Sequence, residues 1–249
     1  MTDPPRHHDL HVCYGHETPL QRYVRLTVGE HAGLWALAWH EMVLGLCTGL
    51  PGLLGIGLRT LLYPRLFPFQ PRVFLGRHVT LRCPRQVHLA EGVVVDDFVQ
   101  VIATSRRPDA IRIGQGSFLR SFAMLNAGPP EGFIHIGANS GIGQGTILYG
   151  NGGLTIGDRV MIAGQCFLVA SSHRFDDPNL PIVDQGFTAS GILIEDDVWI
   201  GAGAKILDGV TIGRRAIVGA NAVVNRSVPA GARVGGVPAR VLAEATCKR

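Results

Sequence analysis

The sequence has few of the residues that support a disulfide framework, a zinc ribbon or a nucleic-acid surface. Its five cysteines are scattered and form no CxxC pair, which argues against the first two. Cys166 falls in a column of small residues, so we predict that it packs in the interior. Lys and Arg form no dense run and the net charge is only +4, so nucleic acid is an unfavoured partner.

The N-terminal segment lacks the pattern of a signal peptide, because residues 1–33 are polar and His-rich, with no basic start followed by an apolar core. We therefore predict a cytoplasmic protein with a flexible arm over 1–33. Four histidines of this arm could bind a metal, but solvated side chains are the favoured interpretation and no metal is expected. These histidines are His7, His8, His11 and His16.

A repeat of six residues dominates the segment from Ile194 to Val228. One column of branched aliphatic residues is spaced by six, and a second column, four residues further along, holds small residues. The first is Ile194, Ile200, Ile206, Ile212, Val218 and Val224, and the second is Val198, Ala204, Val210, Ala216, Ala222 and Val228. The period fits neither a helix nor simple strand alternation, but it is typical of a parallel β-helix of short strands joined by tight turns. One coil cannot bury its own face, so several coils must stack.

The same period, interrupted by slips, predicts an all-β parallel β-helix over 70–234. At about 18 residues per coil, this tract makes roughly eight coils. The main interruption is 171–191, whose prolines, glycines and acidic residues fit no strand. Insertions in solenoids often lie on the working surface, so we expect this excursion to carry function. The chain closes with a tail over 235–249, in which VPARVLAEA predicts a short C-terminal helix.

The apolar stretch 34–66 is predicted to form a helical hairpin within the segment 34–69. A Pro-Gly pair interrupts it before it reaches the length that a bilayer requires. Its apolar faces could cap the open end of the β-helix or pack on a neighbouring subunit. Peripheral association of 34–66 with the inner face of a membrane stays open, since Arg59 and Arg65 flank leucines in an amphipathic pattern.

His173 stands near the start of the excursion. The unperturbed pKa of histidine lies near neutrality, so a histidine at the mouth of an excursion from a rigid β-helix suits general-base catalysis. A plain surface histidine is the alternative, and the motifs around His173 favour the catalytic role.

Three blocks of sequence carry a resemblance to a known family: IGDRVMIAGQCFLVASSHRFDDP, DDVWIGAGAKILDGVTIGRRAIVGANAVV and VGGVPARVL. The tract 70–243 resembles the hexapeptide-repeat acyltransferases, which have a left-handed parallel β-helix. Within them it looks most like the maltose and galactoside O-acetyltransferases and the capsule, O-antigen and colanic-acid acetyltransferases. The resemblance implies direct transfer of an acetyl group from acetyl-CoA to a hydroxyl of a saccharide or related small molecule. It also implies that His173 takes the proton of that hydroxyl.

The resemblance assigns further residues to the acyl donor. It implies that the backbone groups of Ala202 and Ala220 hold the pantetheine arm and that Trp199 lies beside the donor tunnel, although a packing role for Trp199 is equally open. The family is homotrimeric, with each active site between two subunits. The resemblance therefore implies that His173 of one subunit faces Trp199 and Ala202 of its neighbour.

The end of the donor site matches the family less closely. Asn225 and Arg226 stand where the family often has Thr-Lys, so a basic residue is kept in the second position. Arg240, in VPAR, matches the family arginine that meets the nucleotide phosphates, and an arginine fork suits phosphate geometry. Gly236 replaces the asparagine of the usual ending and Ala243 replaces a second phosphate-binding arginine, which implies a differently arranged donor site.

The resemblance assigns fewer residues to the acceptor site than to the donor site. The family asparagine one coil before the catalytic histidine falls near Gly143 here. We take Asn151 and Asp176 as the candidate acceptor-binding residues, one from the coil before His173 and one from the excursion.

Three other functions use the same fold or motif. A γ-class carbonic anhydrase binds zinc through histidines that include an HxxxxH pair, and the histidines of the coils, His78, His88, His135 and His173, show no such spacing. A non-catalytic scaffold would have no need of the histidine, the excursion and the VPAR ending together. An N-acetyltransferase acting on an amino sugar or an antibiotic, of the xenobiotic type, is the main alternative to O-acetylation.

Overall fold

The computed structural model describes residues 17–66 and 72–243. The arm histidines and the end of the tail lie outside these residues. The described chain opens with three helices, α1 (Pro19–Val28), α2 (Leu34–Cys47) and α3 (Gly52–Leu62), followed by a 3₁₀ turn at Tyr63–Arg65.

The flexible arm predicted for 1–33 is wrong for residues 19–28, which form α1. The hydroxyl of Thr18 accepts a hydrogen bond from the Gln21 amide at 3.3 Å, and the Gln21 side chain accepts one from the Thr18 amide at 3.0 Å. This reciprocal capping box satisfies two amides that an N-terminus would otherwise leave unpaired. Val24 and Val28 then lie buried on the inner side of α1.

The segment predicted as a helical hairpin contains α2 and α3, and a buried arginine joins both to the first coil. Arg59 is only 3% exposed. Its guanidinium donates to the carbonyls of Cys47, Leu50 and Leu75 at 2.9, 3.1 and 2.8 Å. Carbonyls at the end of a helix have no partner within the helix, so Arg59 stabilises the end of α2 and attaches it to the β-helix.

Three short strands make up each complete coil of the β-helix. Coils 1 to 3 contain β1 (Phe74–Leu75), β2 (Thr80–Arg82), β3 (Val87–Leu89), β4 (Val94–Val95), β5 (Gln100–Ile102), β6 (Ile111–Ile113), β7 (Phe118–Leu119), β8 (Met124–Asn126) and β9 (Ile134–Ile136). Coils 4 and 5 contain β10 (Gly141–Ile142), β11 (Ile147–Tyr149), β12 (Leu154–Ile156), β13 (Met161–Ile162), β14 (Phe167–Val169), β15 (Ser172–His173), β16 (Phe187–Thr188) and β17 (Ile192–Ile194). The upper coils contain β18 (Trp199–Ile200), β19 (Lys205–Ile206), β20 (Thr211–Ile212), β21 (Ile217–Val218), β22 (Val223–Val224), β23 (Arg233–Gly235) and β24 (Arg240–Ala243).

Strands of successive coils stack into three sheets. Sheet 1 has the order β1-β4-β7-β10-β13-β18-β21-β23-β24, sheet 2 the order β2-β5-β8-β11-β14-β19-β22, and sheet 3 the order β3-β6-β9-β12-β17-β20. Pairing between coils is parallel, and within residues 17–66 and 72–243 only β15–β16 and β23–β24 pair antiparallel. We call the turns between these sheets corner 1–2, corner 2–3 and corner 3–1. The parallel β-helix predicted from the period of six is thereby confirmed.

Both columns of the repeat point into the interior. Ile162, Ile200 and Val218 are in register on neighbouring coils and are buried. Residues of the second column, such as Ala204 and Ala222, are buried as well. Stacking equivalent aliphatic side chains from coil to coil removes them from water, the main stabilising contribution in such a solenoid. Cys166 is buried in the same core, as predicted.

Two predictions of local structure are corrected. The excursion 171–191 contains the two-stranded ribbon β15–β16, where the sequence indicated no strand. The predicted C-terminal helix is wrong for Arg240–Ala243, which pair with β23 as a strand. The last coil leaves backbone groups open at its edge, and an added strand satisfies them where a helix would not.

Candidate active site

His173 lies at the base of the excursion, on β15. Its backbone pairs with Phe187 on β16, and the ring of the buried Phe187 meets the imidazole edge-on with centroids 6.5 Å apart. The imidazole itself is exposed, and neither ring nitrogen bonds any described residue. His173 is therefore held by its backbone pairing, and its imidazole is exposed without a hydrogen-bond partner among the described residues.

Side-chain hydrogen bonds brace the excursion. The Gln185 amide nitrogen donates to the carbonyls of Asp177 and Leu180, both at 2.8 Å. Asp208, from the next coil, accepts the amides of Ser190 at 3.0 Å and Gly191 at 2.9 Å. The Asp208 carboxylate thus fixes the point where the chain returns to the coil. Sequence reasoning missed Asp208, although an acidic residue in the LDG turn one coil after the excursion was a usable signal.

The two candidate acceptor residues lie near this base. Asn151 is half-buried at corner 2–3, one coil before the excursion, beside Gly152, whose amide bonds the carbonyl of Ala170 at 2.8 Å. Asp176 is exposed within the excursion and pairs with Arg174, with the Arg174 Nε 3.3 Å from the Asp176 Oδ2. Both side chains therefore belong to the same corner as His173.

The residues assigned to the pantetheine arm and the acyl group lie at a different corner. Ala202 and Ala220 occupy equivalent positions of corner 1–2 on successive coils, and both are exposed. The backbones stack so closely here that a Cβ on Gly201 would lie 2.6 Å from the Ala220 nitrogen. Only glycine permits this approach. Trp199 lies outward on sheet 1, 55% exposed, in register with Met161 and Ile217.

The amides of Ala202 and Ala220 donate no hydrogen bond within the described part of the chain. The neighbouring Gly203 amide, by contrast, bonds the carbonyl of Gly164 at 3.0 Å. These two amides are thus exposed donors in a row, one per coil. Such a row suits an extended ligand that carries amide carbonyls.

Two arginines at the top of the solenoid, Arg226 and Arg240, have no acidic partner among the described residues. Arg226 and Asn225 are exposed at corner 2–3, and Arg240 is exposed at the start of β24. The Arg240 Nη1 bonds only the Ala239 carbonyl, at 2.9 Å, and neither arginine pairs with a carboxylate of residues 17–66 or 72–243. Unpaired guanidinium groups are suited to bind phosphate.

Cys166 is excluded as a nucleophile by its surroundings. Its thiol is 3.3 Å from the Gly201 carbonyl in the core. Burial raises the pKa of the Cys166 thiol, which disfavours the reactive thiolate. In the residues that the structure describes, no three His, Cys, Asp or Glu side chains come together as a metal site.

The structure brings the predicted residues together in two groups. Trp199, Ala202 and Ala220 lie on sheet 1 and its corner with sheet 2, and Arg240 starts β24 at the top of sheet 1. His173 lies at corner 2–3, which also carries Asn151, Asp176 and the two donor candidates Asn225 and Arg226. Sheet 2 separates the two groups, so a single chain does not place His173 beside the Ala202 amide.

Comparison with known proteins agrees with this architecture. The family described as bacterial transferase hexapeptide, of six repeats, matches residues 191–226. The Mycobacterium tuberculosis protein named "Probable acetyltransferase Rv3034c" is 37% identical over 112 residues, 45% of this chain and 37% of that protein. A Staphylococcus aureus 2,3,4,5-tetrahydropyridine-2,6-dicarboxylate N-acetyltransferase is 56% identical over 59 residues, 24% of this chain and 25% of that enzyme. The chain thus spans about a quarter to two fifths of the length of these relatives.

Among solved structures, AntD, an N-acyltransferase from Bacillus cereus in complex with dTDP and 3-hydroxybutyryl-CoA, matches with a TM-score of 0.52. It is 22% identical, and the match covers 70% of this chain and 84% of AntD. At this identity the likeness concerns the fold. It agrees with the left-handed winding expected for the β-helix.

Proposed function

The chain carries bacterial transferase hexapeptide repeats and folds as a left-handed parallel β-helix, and we propose that it is an acetyl-CoA-dependent O-acetyltransferase acting on a saccharide or related small molecule. The observation that carries the proposal is the row of open amides at Ala202 and Ala220. In this proposal they bind the amide carbonyls of the pantetheine arm. Arg240, on β24 at the top of sheet 1 and without a carboxylate partner among the described residues, binds the phosphates. Arg226 lies across sheet 2 at corner 2–3, so in this proposal it contacts the phosphates of a donor held by another chain.

His173 is the proposed general base. It takes the proton of the acceptor hydroxyl as the ester bond forms and the thioester bond breaks, and it passes the proton to the departing thiolate. No nucleophilic side chain is needed, in accord with the buried Cys166. Asn151 and Asp176 are the proposed acceptor contacts, since they lie at the corner that carries His173. Trp199 borders the acyl group on sheet 1.

A homotrimer completes the proposed site. His173 and Ala202 lie on opposite edges of sheet 2, so the donor row of one chain must meet the excursion of another for chemistry to occur. Holding both substrates between two rigid coils then supplies much of the rate enhancement through orientation. A stable, fully active monomer in analytical ultracentrifugation would contradict this arrangement.

N-acetylation of an amino sugar is the second candidate. Two of the similar proteins, the S. aureus N-acetyltransferase and B. cereus AntD, are named as N-acyltransferases. The same histidine could deprotonate an ammonium group, so the geometry does not favour oxygen over nitrogen.

The test is thiol release from acetyl-CoA by the purified chain with two acceptor sets, neutral saccharides and amino sugars. Mass spectrometry measures the added acetyl group, and cleavage by hydroxylamine distinguishes an ester from an amide. We expect an ester product with a neutral saccharide. An amide product alone would establish the second candidate. Binding of neither CoA nor acetyl-CoA in calorimetry would remove both candidates and leave a non-catalytic scaffold.

A further inference from the structure

Three aromatic rings form a column on corner 1–2 of the lower coils. His78, Phe98 and Phe122 occupy the equivalent position of coils 1, 2 and 3, two residues before a strand of sheet 2. The centroids of His78 and Phe98 are 4.9 Å apart, and those of Phe98 and Phe122 are 5.1 Å apart. The ring planes of these pairs differ by only 14° and 4°. Each ring therefore lies flat on the ring of the coil below, at about the 4.8 Å spacing between paired strands.

The two ends of this column differ. At the lower end the His78 amide bonds the Thr48 carbonyl at 2.9 Å, and a Cβ on Gly49 would lie 3.5 Å from the imidazole Cε1. The link between α2 and α3 thus closes this end, and no helix among the described residues is long and apolar enough to cross a membrane. At the upper end Phe122 is 56% exposed, and the next position of the column, in coil 4, is Gly145. The column therefore ends in an aromatic face that no side chain at this position covers.

The glycine above Phe122 is not required by the backbone. The φ of Gly145 is 66°, and Phe122 and Gln165 adopt 64° and 59° at the equivalent positions. A Cβ on Gly145 would have only the Gln165 Cγ within 4 Å, at 3.9 Å. The positions of Phe122 and Gln165 are two coils apart, roughly 10 Å, and a ring needs about 3.5–4 Å to each neighbour. One ring therefore fits above Phe122, and we call this space, bounded by Phe122, Gly145 and Gln165, the stacking slot.

The rim of the stacking slot is polar but carries little charge. The side chains of Gln144 and Gln165 are exposed and form no hydrogen bond with any described residue. Arg120, at the same corner in coil 3, already pairs with Asp96 at 3.3 Å. A flat apolar floor with neutral donors and acceptors beside it suits a pyranose, whose C–H face packs on an aromatic ring while its hydroxyls bond the amides.

The row of open amides leads to the stacking slot. Below Ala202, the amides of Gly164 and Gln144 also donate no hydrogen bond within the described residues. The thioester of acetyl-CoA lies beyond the second amide of the pantetheine arm. A donor with its phosphates at Arg240 and its arm on Ala220 and Ala202 therefore carries the thioester below Ala202, at the level of coil 5. A ring in the slot of coil 4 lies directly beneath it.

The proposed base belongs to the same level. His173 follows β14 of coil 5, the coil that contributes Gln165. In a homotrimer of parallel solenoids, equal coils lie at equal height. The imidazole of one chain and the stacking slot of its neighbour are then separated by one coil spacing along the axis, about 4.8 Å, which suits proton transfer from a hydroxyl of the bound ring.

Resting on the proposed function, we propose that Phe122 is the floor of the acceptor subsite and that the acceptor is a pyranose stacked on it. Gln144 and Gln165 bond its hydroxyls. Asn151 and Asp176, at the corner that carries His173, contact the same ring from the neighbouring chain. The proposal holds for a neutral saccharide and for an amino sugar, because both present the ring.

Steady-state transfer kinetics of the full chain test this subsite, with methyl glucoside, methyl galactoside and glucosamine as acceptors. Phe122→Ala should raise the Michaelis constant for the accepted pyranose about tenfold, since the apolar face of the ring loses its contact. Phe122→Tyr keeps the ring and should restore it, and the Michaelis constant for acetyl-CoA should stay within about twofold in both variants. The matched control is Phe74→Ala, at a phenylalanine 39% exposed on sheet 1 in coil 1, which should behave like the parent chain.

Gly145→Phe tests the slot from its other side. The new ring adopts the backbone conformation of Phe122, extends the column by one ring and fills the slot. Pyranose binding, measured by saturation-transfer NMR on the CoA-bound chain, should be lost, while CoA affinity in calorimetry stays within about twofold. If this variant also loses CoA binding and its cooperative unfolding, it has not folded, and the two Phe122 variants decide.

Three results would overturn the proposal. Equal Michaelis constants for the pyranose in Phe122→Ala and Phe74→Ala would remove Phe122 from the acceptor subsite, and so would unchanged pyranose binding in a folded Gly145→Phe. Binding of adenosine in the slot, with no pyranose binding there, would make Phe122 a platform for a planar base. The proposed function is judged separately: a chain that binds a pyranose through Phe122 but releases no thiol from acetyl-CoA keeps the slot and loses the acetyl transfer. Transfer that does not depend on Phe122 has the opposite meaning.

Discussion

Corner 3–1 and corner 1–2 of the β-helix follow the same backbone path but treat their amides differently. At corner 3–1, Asp158 accepts the Ala138 amide at 2.7 Å, and Asp196 accepts the Asp158 amide at 3.0 Å. Each carboxylate caps the equivalent amide one coil below. At corner 1–2 of the upper coils the equivalent residues are Ala202 and Ala220, which have no carboxylate, and their amides stay open.

The lowest coil of corner 1–2, by contrast, has a capped amide, so the open amides belong to particular coils and not to the corner as a whole. There Asp97 accepts the Arg77 amide at 2.7 Å and pairs with the Arg77 side chain at 2.7 Å. These hydrogen bonds and the ion pair hold the pKa of the Asp97 carboxyl below its usual value, although burial opposes them. A self-capped corner is a structural element, whereas an uncapped corner can bind a ligand. The proposed donor site therefore lies on coils of corner 1–2 whose amides no carboxylate caps.

The largest expected effect is on turnover. It concerns His173, which lies at neither of the two corners compared above. Replacing His173 with alanine removes the proposed base, so turnover should fall about 10²- to 10⁴-fold. The open amides are untouched, so CoA affinity in calorimetry should stay within about twofold. Turnover equal to the parent chain would remove the base assignment, and a parallel loss of CoA affinity would show that the excursion helps to form the donor site.

The substitution Ala220→Asp converts corner 1–2 into a copy of corner 3–1. The new carboxylate should cap the Ala202 amide and repel the donor phosphates, so CoA affinity should fall about 10- to 100-fold with little change in unfolding. Ala220→Ser is the matched control, since its shorter side chain brings no charge. Unchanged CoA affinity in Ala220→Asp would refute the role of the open amide.

The substitution Arg240→Ala tests the charged end of corner 1–2. Loss of one phosphate contact should raise the Michaelis constant for acetyl-CoA about tenfold and leave the maximal rate nearly unchanged. Steady-state kinetics with varied donor measure this effect. Arg112→Ala, on sheet 3 in coil 2, is the control for loss of an exposed arginine, and an equal effect there would contradict a specific contact.

The substitution Asp158→Ala opens an amide at the capped corner. The Ala138 amide loses a charged acceptor, so the free energy of unfolding should fall by about 1–2 kcal/mol in urea titration. CoA affinity should not change, because corner 3–1 is not part of the proposed donor site. A new or stronger CoA site in this variant would show that an open amide alone is enough.

The smallest effect concerns the helices below the coils. Burial lowers the pKa of the His40 imidazole from 6.5. Its Nε2 lies 3.0 Å from the Leu81 carbonyl, and its Nδ1 has no hydrogen bond and lies 4.0 Å from the Glu41 carboxylate, which opposes the effect of burial on the pKa. The folded state binds the proton less readily than the unfolded state, so the stabilisation present above about pH 6.5 is lost as the pH falls below that value. Chemical unfolding at pH 7.5 and 5.5 should show a smaller loss in His40→Gln than in the parent chain.

Some features of the fold could be predicted from the sequence because they repeat. The aliphatic column that includes Ile200 and Ile206 predicted the β-helix, since a residue that recurs every sixth position must face the same core in each coil. The helix α1 was missed, although Thr18 and Gln21 form a capping-box sequence. The strand at Arg240–Ala243 could not be read, because its pairing depends on the open edge of β23.

The residues of the candidate site also divide into those that the sequence predicted and those that only the structure revealed. His173 was identified from its place near the start of the interruption of the repeat and from the motifs around it, and Ala202 and Ala220 were identified by resemblance. The Asp208 clamp and the difference between capped and open amides appeared only in the structure, because each depends on which residue of one coil stacks on which residue of the next. Apart from residues 19–28 of the arm, which form α1, and Arg240–Ala243 of the tail, which form β24, the predicted division of the chain stays a prediction. The predicted trimer also stays a prediction.

The sequence by itself determined that this chain folds as a parallel β-helix, because a repeat of six residues fixes which side chains point inward in every coil. Only the tertiary structure decided which corner amides are capped by a carboxylate and which are left without an acceptor. A carboxylate caps an amide only when stacking brings the two within hydrogen-bond distance, and residues 20 or 38 positions apart reach that distance only after the coil has closed.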